Sequence, residues 1–321
     1  MSECIIEGAD KVESIKPGLI SDKTGITSFR TDEIQIRDPF ILKEHNCYYL
    51  FGSTDKNIWG NGTATGFDAY ISRDLENWDG PYLAFRPGDD FWGKDNFWAP
   101  EVFSYQGAYY MFASFRGTNK MRGTAILRAD HPLGPYEEWS EGVVTPKEWM
   151  SLDGTFYIDE GRQPWMIFCH EWVQIKNGTI CAMKLSKDLK SADSVPVELF
   201  NSTDAPWSRT VESKSNQITG WVTDGPNMYR MKKGQLLMLW SCMGEYGYCI
   251  GYAISESGHI LGPWRQAHRP LFEKDGGHGM IFKAYDGRFL LSIHTPNNTP
   301  DERAVFVELV ETETGLSLKK K

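Results

Sequence analysis

The chain repeats one short apolar strand five times, as YYLFGS at 48–53, YYMFAS at 109–114, WMIFCH at 165–170, LLMLWS at 236–241 and FLLSIH at 289–294. The starts lie 61, 56, 71 and 53 residues apart, and self-similarity at such a period marks an array of like modules. Each copy follows a second strand and a turn: DPFILKEHNC, APEVFSYQGA, DGTFYIDEGRQP, DGPNMYRMKKGQ and HGMIFKAYDGR. Gly, Asn and Asp recur in the connections, which is hairpin chemistry because these residues accept the left-handed backbone of tight turns. A third strand follows in most copies, at 69–78, 125–136, 181–192 and 251–264, and 305–311 serves the last. No comparable window has the apolar i, i+3, i+4, i+7 spacing of an amphipathic helix, so an α/β barrel fits poorly. The expected fold is all-β, a five-bladed β-propeller over residues 31–312, with 1–30 as an extension packed on it and 313–321 as a tail. An irregular β-sandwich or β-helix would not produce five equivalent hairpins. Residues 31–37, or the segment before them, are expected to pair with the last blade and remove an exposed edge.

Composition narrows the partners. The 34 Lys and Arg against 43 Asp and Glu give a net charge of −9, so the basic stripe that a phosphate backbone requires is missing and nucleic acid is not expected. Apolar runs stop far short of the about 20 residues that cross a membrane as a helix. The opening MSECIIEGADKVESIK lacks a basic segment followed by an apolar one. A cytoplasmic location is therefore expected as the sequence is written, and secretion if a leader has been removed. The six cysteines form no CxxC pair, and reduced, mostly buried thiols are expected. Aromatic residues reach 13%, with 12 Trp, a level that suits both β-structure and surfaces that stack on sugar rings.

In a propeller the first strand of each blade runs along the central channel, so residues at its entrance converge on one mouth. Aligning the hairpins on the dipeptide that opens this strand gives Asp38-Pro39, Ala99-Pro100, Asp153-Gly154, Asp224-Gly225 and His278-Gly279. Three carboxylates and an imidazole then share one pocket. Such a cluster costs free energy through repulsion and desolvation, so at least one member should hold its proton unusually tightly or bind a cation. Two carboxyls tuned apart suit acetal hydrolysis, one protonating the leaving oxygen and the other activating water. Blades one and four are not neighbours in a ring of five, which places Asp38 across the funnel from Asp224 and favours the inverting geometry. Trp98, Trp59 and Trp172 are candidate sugar platforms, with His170 and Glu171 beside the last, whereas Trp78, Trp139 and Trp264 fall in outer turns and are expected to be structural.

At RDPFILKEHNCYYLFGST, FWAPEVFSYQGAYYMFAS, SLDGTFYIDEG, TDGPNMYR and GGHGMIF the sequence resembles glycoside hydrolase family 43 over about residues 30–310. The resemblance implies a five-bladed propeller enzyme that cleaves α-L-arabinofuranosidic or β-D-xylosidic bonds with inversion, on an oligosaccharide or polysaccharide substrate. It implies Asp38 as general base, Asp153 as the carboxylate that orients and tunes the acid, and Asp224 at the general-acid position. There the family usually reads Glu-Gly-Pro, so Asp224 is one methylene short, and Glu171 or Glu212 is the alternative proton source. His278 matches an axial histidine that often helps hold hydrated calcium, a structural ion in the channel; no organic cofactor is implied. A binding-only propeller would not need opposed carboxylates, and a phosphorolytic or fructosyl-transferring relative would need a basic cluster beside the acid, for which Arg209 and Arg230 are the nearest residues in sequence. Oligomeric state is not readable.

Overall fold

Residues 27–60, 62–213 and 217–320 are described by a computed structural model. Each repeat becomes an antiparallel sheet because strictly alternating or wholly apolar strands can bury both faces only when blades stack on one another. Blade one holds β1 (Thr27–Arg30), β2 (Arg37–Glu44), β3 (Cys47–Ser53), β4 (Phe67–Ser72) and β5 (Asn77–Phe85), in the spatial order β1-β5-β4-β3-β2. Blade two is β6 (Gly93–Tyr105), β7 (Ala108–Gly117), β8 (Gly123–Ala129) and β9 (Glu137–Glu138). Blade three is β10 (Ser151–Ile158), β11 (Pro164–His170), β12 (Thr179–Lys184) and β13 (Val197–Asn201), with the short helix α1 (Trp172–Ile175) between its second and third strands. A separate hairpin, β14 (Thr210–Ser213) with β15 (Ile218–Trp221), precedes blade four. That blade is β16 (Asp224–Arg230), β17 (Leu236–Gly244), β18 (Gly247–Ser255) and β19 (Trp264–Gln266). Blade five is β20 (Gly277–Lys283), β21 (Phe289–Thr295), β22 (Arg303–Thr312) and β23 (Gly315–Leu318).

The first strands β2, β6, β10, β16 and β20 touch in cyclic order, and β20 meets β2, so the fold is the expected five-bladed propeller. Its core is shared out between blades. Between blades one and two, Phe67, Phe85, Phe91, Phe97 and Phe115 pack at centroid distances of 4.9–6.2 Å, each pair adding to its burial through edge or tilted ring contact. Trp207, from the segment before β14, does the same against Trp240 of blade four at 4.5 Å. The turns follow the sequence chemistry: His45-Asn46 and Gln106-Gly107 all have positive φ, the two-residue turn that matches strand twist. Trp78 is fully buried, and the indoles of Trp139 and Trp264 donate to Asp188 and Ile260 carbonyls, structural roles as expected.

Closure follows one expectation and departs from another. The segment before residue 31 pairs with β5 of the first blade, Phe29 facing Trp78, while 31–37 reaches the last blade, as expected, through an antiparallel Gln35–Arg303 bridge, the Ile36 N–H to Glu302 carbonyl bond of 3.3 Å, the Arg37 guanidinium on Glu302 and Asn297, and the Arg303 guanidinium on the Asp32 carbonyl. Residues 315–318 of the expected tail are instead the outer strand of blade five, Leu309 facing Leu318, because Leu316 is buried in an apolar cluster with Leu309 and Leu318 packs against it. The part of the N-terminal extension at 1–26 lies outside the described residues.

Candidate active site

Every blade enters the channel through the same irregularity. The ladder skips two residues of the first strand, from Arg37 to Phe40, Trp98 to Glu101, Leu152 to Thr155, Asp224 to Asn227 and Gly277 to Met280. The first skipped residue is left-handed in all five: Asp38 (φ 54°), Ala99 (47°), Asp153 (57°), Gly225 (50°) and His278 (43°). A left-handed non-glycine residue is strained, and a bulge at a site entrance re-aims its side chain. The alignment on opening dipeptides is therefore one residue out in blade four. Asp224 is the counterpart of Arg37, Trp98 and Leu152, and Gly225 is the counterpart of Asp38 and Asp153. The physical reason is space, since a Cβ on Gly225 would lie 2.6 Å from the His278 ring.

The bulges are wired to one another. The Ala99 N–H donates to Ser53 Oγ (2.8 Å), Asp153 N–H to Ser114 Oγ (2.9 Å), Gly225 N–H to Asp153 Oδ2 (2.9 Å), His278 N–H to Ser241 Oγ (2.8 Å) and Asp38 N–H to His294 Nδ1 (3.1 Å). The acceptors come from the strand-end Ser or His of the repeated motif, except in blade three. There Cys169 faces Leu152 in the place that Ser53 holds opposite Arg37, and Asp153 takes over as acceptor.

This ring floors a cavity lined by Arg37, Asp38, Ile58, Trp59, Trp98, Leu152, Asp153, Asp224, Tyr248 and His278. Asp38, Asp153, Asp224, His278, Trp59 and Trp98 are thus brought together as expected. Asp38 accepts the Ser53 hydroxyl at 2.6 Å and lies 3.2 Å from His278 Nδ1. Burial alone would push its carboxyl up, but His278, Arg37, His294 and Ser53 outweigh that and hold it below the usual range. Burial, then Asp38, pushes Asp153 well up against the Gly225 N–H. Burial and Asp153 lift Asp224 to about 7, against the opposing pull of His278 and the Tyr248 hydroxyl, which donates to Oδ2 at 3.0 Å. His294, stacked against Tyr248, accepts the Asp38 N–H through Nδ1 and faces Asn297 Oδ1 through Nε2 at 3.1 Å. That pattern requires a neutral ring, and burial lowers His294 to about 4.

The two tryptophans form a corner, 5.6 Å apart at 66°. Trp98 is fixed by its indole bond to the Ile58 carbonyl (2.6 Å) and by the Arg122 guanidinium 4.1 Å above its ring. Trp59 is half exposed, held by Thr299 and covered by Arg37. His170, Glu171 and Trp172 do not line the cavity. His170 stacks on Trp149 at 4.1 Å, Glu171 is buried in an ion pair with Arg122, and Trp172 opens α1 and packs into the core under Gly220. Glu212 is exposed on β14. Arg209 borders a different cavity and Arg230 binds Tyr157 and the Gly234 carbonyl, so neither builds a basic cluster at Asp224.

Arg37, Ile58, Leu152 and Tyr248 were not among the expected site residues. Arg37 and Leu152 had a legible signal, being adjacent to the singled-out Asp38 and Asp153; Tyr248 lies on a third strand and had none. Among the described residues no three His, Cys, Asp or Glu side chains group as a metal site requires. His278 faces carboxylates already held by protein donors, so this donor set does not fit a directly held calcium ion.

The model for glycosyl hydrolases family 43 matches residues 33–315. The chain belongs to that family. Over 90% of its length and 99% of the other chain, this family 43 chain is 40% identical to a solved endo-arabinase from Bacteroides thetaiotaomicron VPI-5482, with a TM-score of 0.82. It is 20% identical over 277 residues to alpha-L-arabinofuranosidase 43 of Humicola insolens, covering 79% of this chain and 53% of that protein. It is 22% identical over 151 residues to the extracellular endo-alpha-(1->5)-L-arabinanase 1 of Bacillus subtilis (strain 168), covering 44% and 45%. The chain thus spans about half the length of these two curated relatives. Its five described cysteines are buried; Cys4 lies outside the described residues. No helix among the described residues is long and apolar enough to cross a membrane.

Proposed function

We propose that the cavity hydrolyses α-L-arabinofuranosidic bonds with inversion at the anomeric carbon. The observation that carries this reading is the divergence of two aspartates in one cavity, Asp38 held low and Asp224 raised to about 7. Near neutral pH the first is a carboxylate able to take a proton from water and the second is still able to give one, which is the division of labour an acetal needs. As water's oxygen bonds to the anomeric carbon, its proton passes to Asp38. The glycosidic bond pair leaves with the oxygen, which takes the Asp224 proton. Asp153 holds Gly225, beside the acid, through its N–H and keeps Asp224 from ionising early. Trp98 and Trp59 offer faces for the apolar side of a sugar ring.

Arabinose is favoured over xylose as the sugar because the 40%-identical structure is an endo-arabinase and the two curated relatives are named an alpha-L-arabinofuranosidase and an endo-alpha-(1->5)-L-arabinanase. The test is release of sugar from linear arabinan, arabino-oligosaccharides and nitrophenyl arabinofuranoside, with nitrophenyl xyloside as comparator and proton NMR of the first anomer formed. Arabinose-containing products with inverted configuration are expected. Cleavage of xyloside alone, or retained configuration, overturns the reading.

A further inference from the structure

We propose that Tyr248 is the positioning residue for Asp224, its hydroxyl holding Oδ2 so that the proton to be given up resides on Oδ1. This rests on the reading of Asp224 as general acid. An aspartate in a role usually filled by a glutamate has a shorter stem, and a short stem leaves less freedom to find the leaving oxygen. The structure supplies a fixed partner instead. Tyr248 on β18 donates to Asp224 Oδ2 at 3.0 Å, while among the described residues nothing donates to Oδ1. The phenol is itself immobilised, lying against the His294 ring at 5.7 Å and 22°, and that ring is pinned by the Asp38 N–H and Asn297. Acid and base are therefore joined through one stack, Asp224 to Tyr248 to His294 to Asp38.

Burial and the neighbouring Asp224, Asp38 and Asp153 keep the phenol protonated far above its usual range, so its O–H stays available to donate to Oδ2. While that O–H donates to Oδ2, the proton of a neutral Asp224 is left to Oδ1. In the transfer step the Oδ1–H bond breaks, its electron pair stays on the carboxylate, and the glycosidic oxygen takes the proton as its bond to the anomeric carbon breaks. Tyr248 then donates to the full negative charge, the state to which such a bond is strongest. The groups facing Asp224 are Asp153 from β10, His278 from β20, Glu171 just after β11, Tyr248 from β18 and the thiols of Cys169 on β11 and Cys242 on β17; of these, only Tyr248 donates to the carboxyl among the described residues.

Tyr248→Phe removes this donor and keeps the ring. The expected result is a fall in kcat of about 10-fold or more on arabino-oligosaccharide with little change in KM, and an upward move of the basic limb of the pH profile by about one unit. Nitrophenyl arabinofuranoside, whose leaving group needs little protonation, should lose far less. An equal loss on both substrates with an unmoved limb overturns the proposal. Infrared titration of the Asp224 carboxyl, identified by its absence in Asp224→Asn, reads the same interaction without turnover: its midpoint should rise in Tyr248→Phe, and an unchanged midpoint overturns the role. An inactive parent enzyme with a risen midpoint would sink the proposed function and leave Tyr248 assigned.

Discussion

Asp38 and Asp224 are the same side chain in two electrostatic settings. Asp38 sits at a left-handed bulge among two imidazoles, a guanidinium and a hydroxyl, whereas Asp224 meets another carboxyl and a neutral phenol, with His278 pulling only in part against them. Replacing Asp38 with Asn should lower kcat by about 10²–10⁴-fold with an unchanged circular dichroism spectrum; retained turnover would remove Asp38 from the chemistry. Asp224 has a stability consequence as well. Its proton is held in the folded chain up to about pH 7 but is released near pH 4 when unfolded. The folded state therefore binds more protons between those values, and stability falls as pH rises through that window. Asp224→Asn has no such penalty, so its Tm advantage over the parent should grow by on the order of 2 °C from pH 5 to pH 8, as measured by calorimetry. Site aspartates were legible because strand entrances repeat along the chain; Tyr248 was not, because nothing in GYCIGY distinguishes a phenol aimed at the channel from one in the wall.

At the scale of the element, the recurring unit is a hairpin whose second strand ends in a hydrogen-bond acceptor for the next blade. Ser53 serves twice, donating to Asp38 and accepting from Ala99. Ser53→Ala should cost about 1–3 kcal/mol in urea unfolding, the usual penalty for an orphaned buried N–H, and should move the acidic limb of activity upward, since Asp38 loses a donor that favours its charge. A neutral stability change would mean that the belt between blades is ornamental. Gly225→Ala should be worse for activity than for folding, because its Cβ strikes the His278 ring. The hairpins were legible from apolar runs and turn residues. The register of the fourth entrance was not, because matching aspartate to aspartate places Asp224 on the bulge, while the backbone, obeying space beside His278, puts Gly225 there. His170 was misplaced for a related reason: blade three pairs Cys169, not His170, opposite the entrance, so the sequence motif and the ladder are out of step by one.

For the whole molecule, five blades were readable from period alone, but the way the ends meet was not, since the terminal strands β1 and β23 resemble nothing in the repeat. Each completes its own blade, so the ring is fastened where the first and last blades face each other. Arg37 meets Glu302 at 2.8 Å and Asn297 at 2.7 Å, Asp38 meets His294, and Gln35 bridges to Arg303. Glu302 is fully buried, so Glu302→Ala should destabilise by about 3–5 kcal/mol by stranding Arg37. A loss below 1 kcal/mol would show that other contacts carry the seam.

That clasp holds the base. Asp38 and the arginine beside it belong both to the chemistry and to the join, so a molecule that merely gapes there, with every blade still folded, has already lost its water-activating group. Under rising urea, catalysis should fade before tryptophan fluorescence reports melting, and added sugar, by bridging the gap, should draw the two events together.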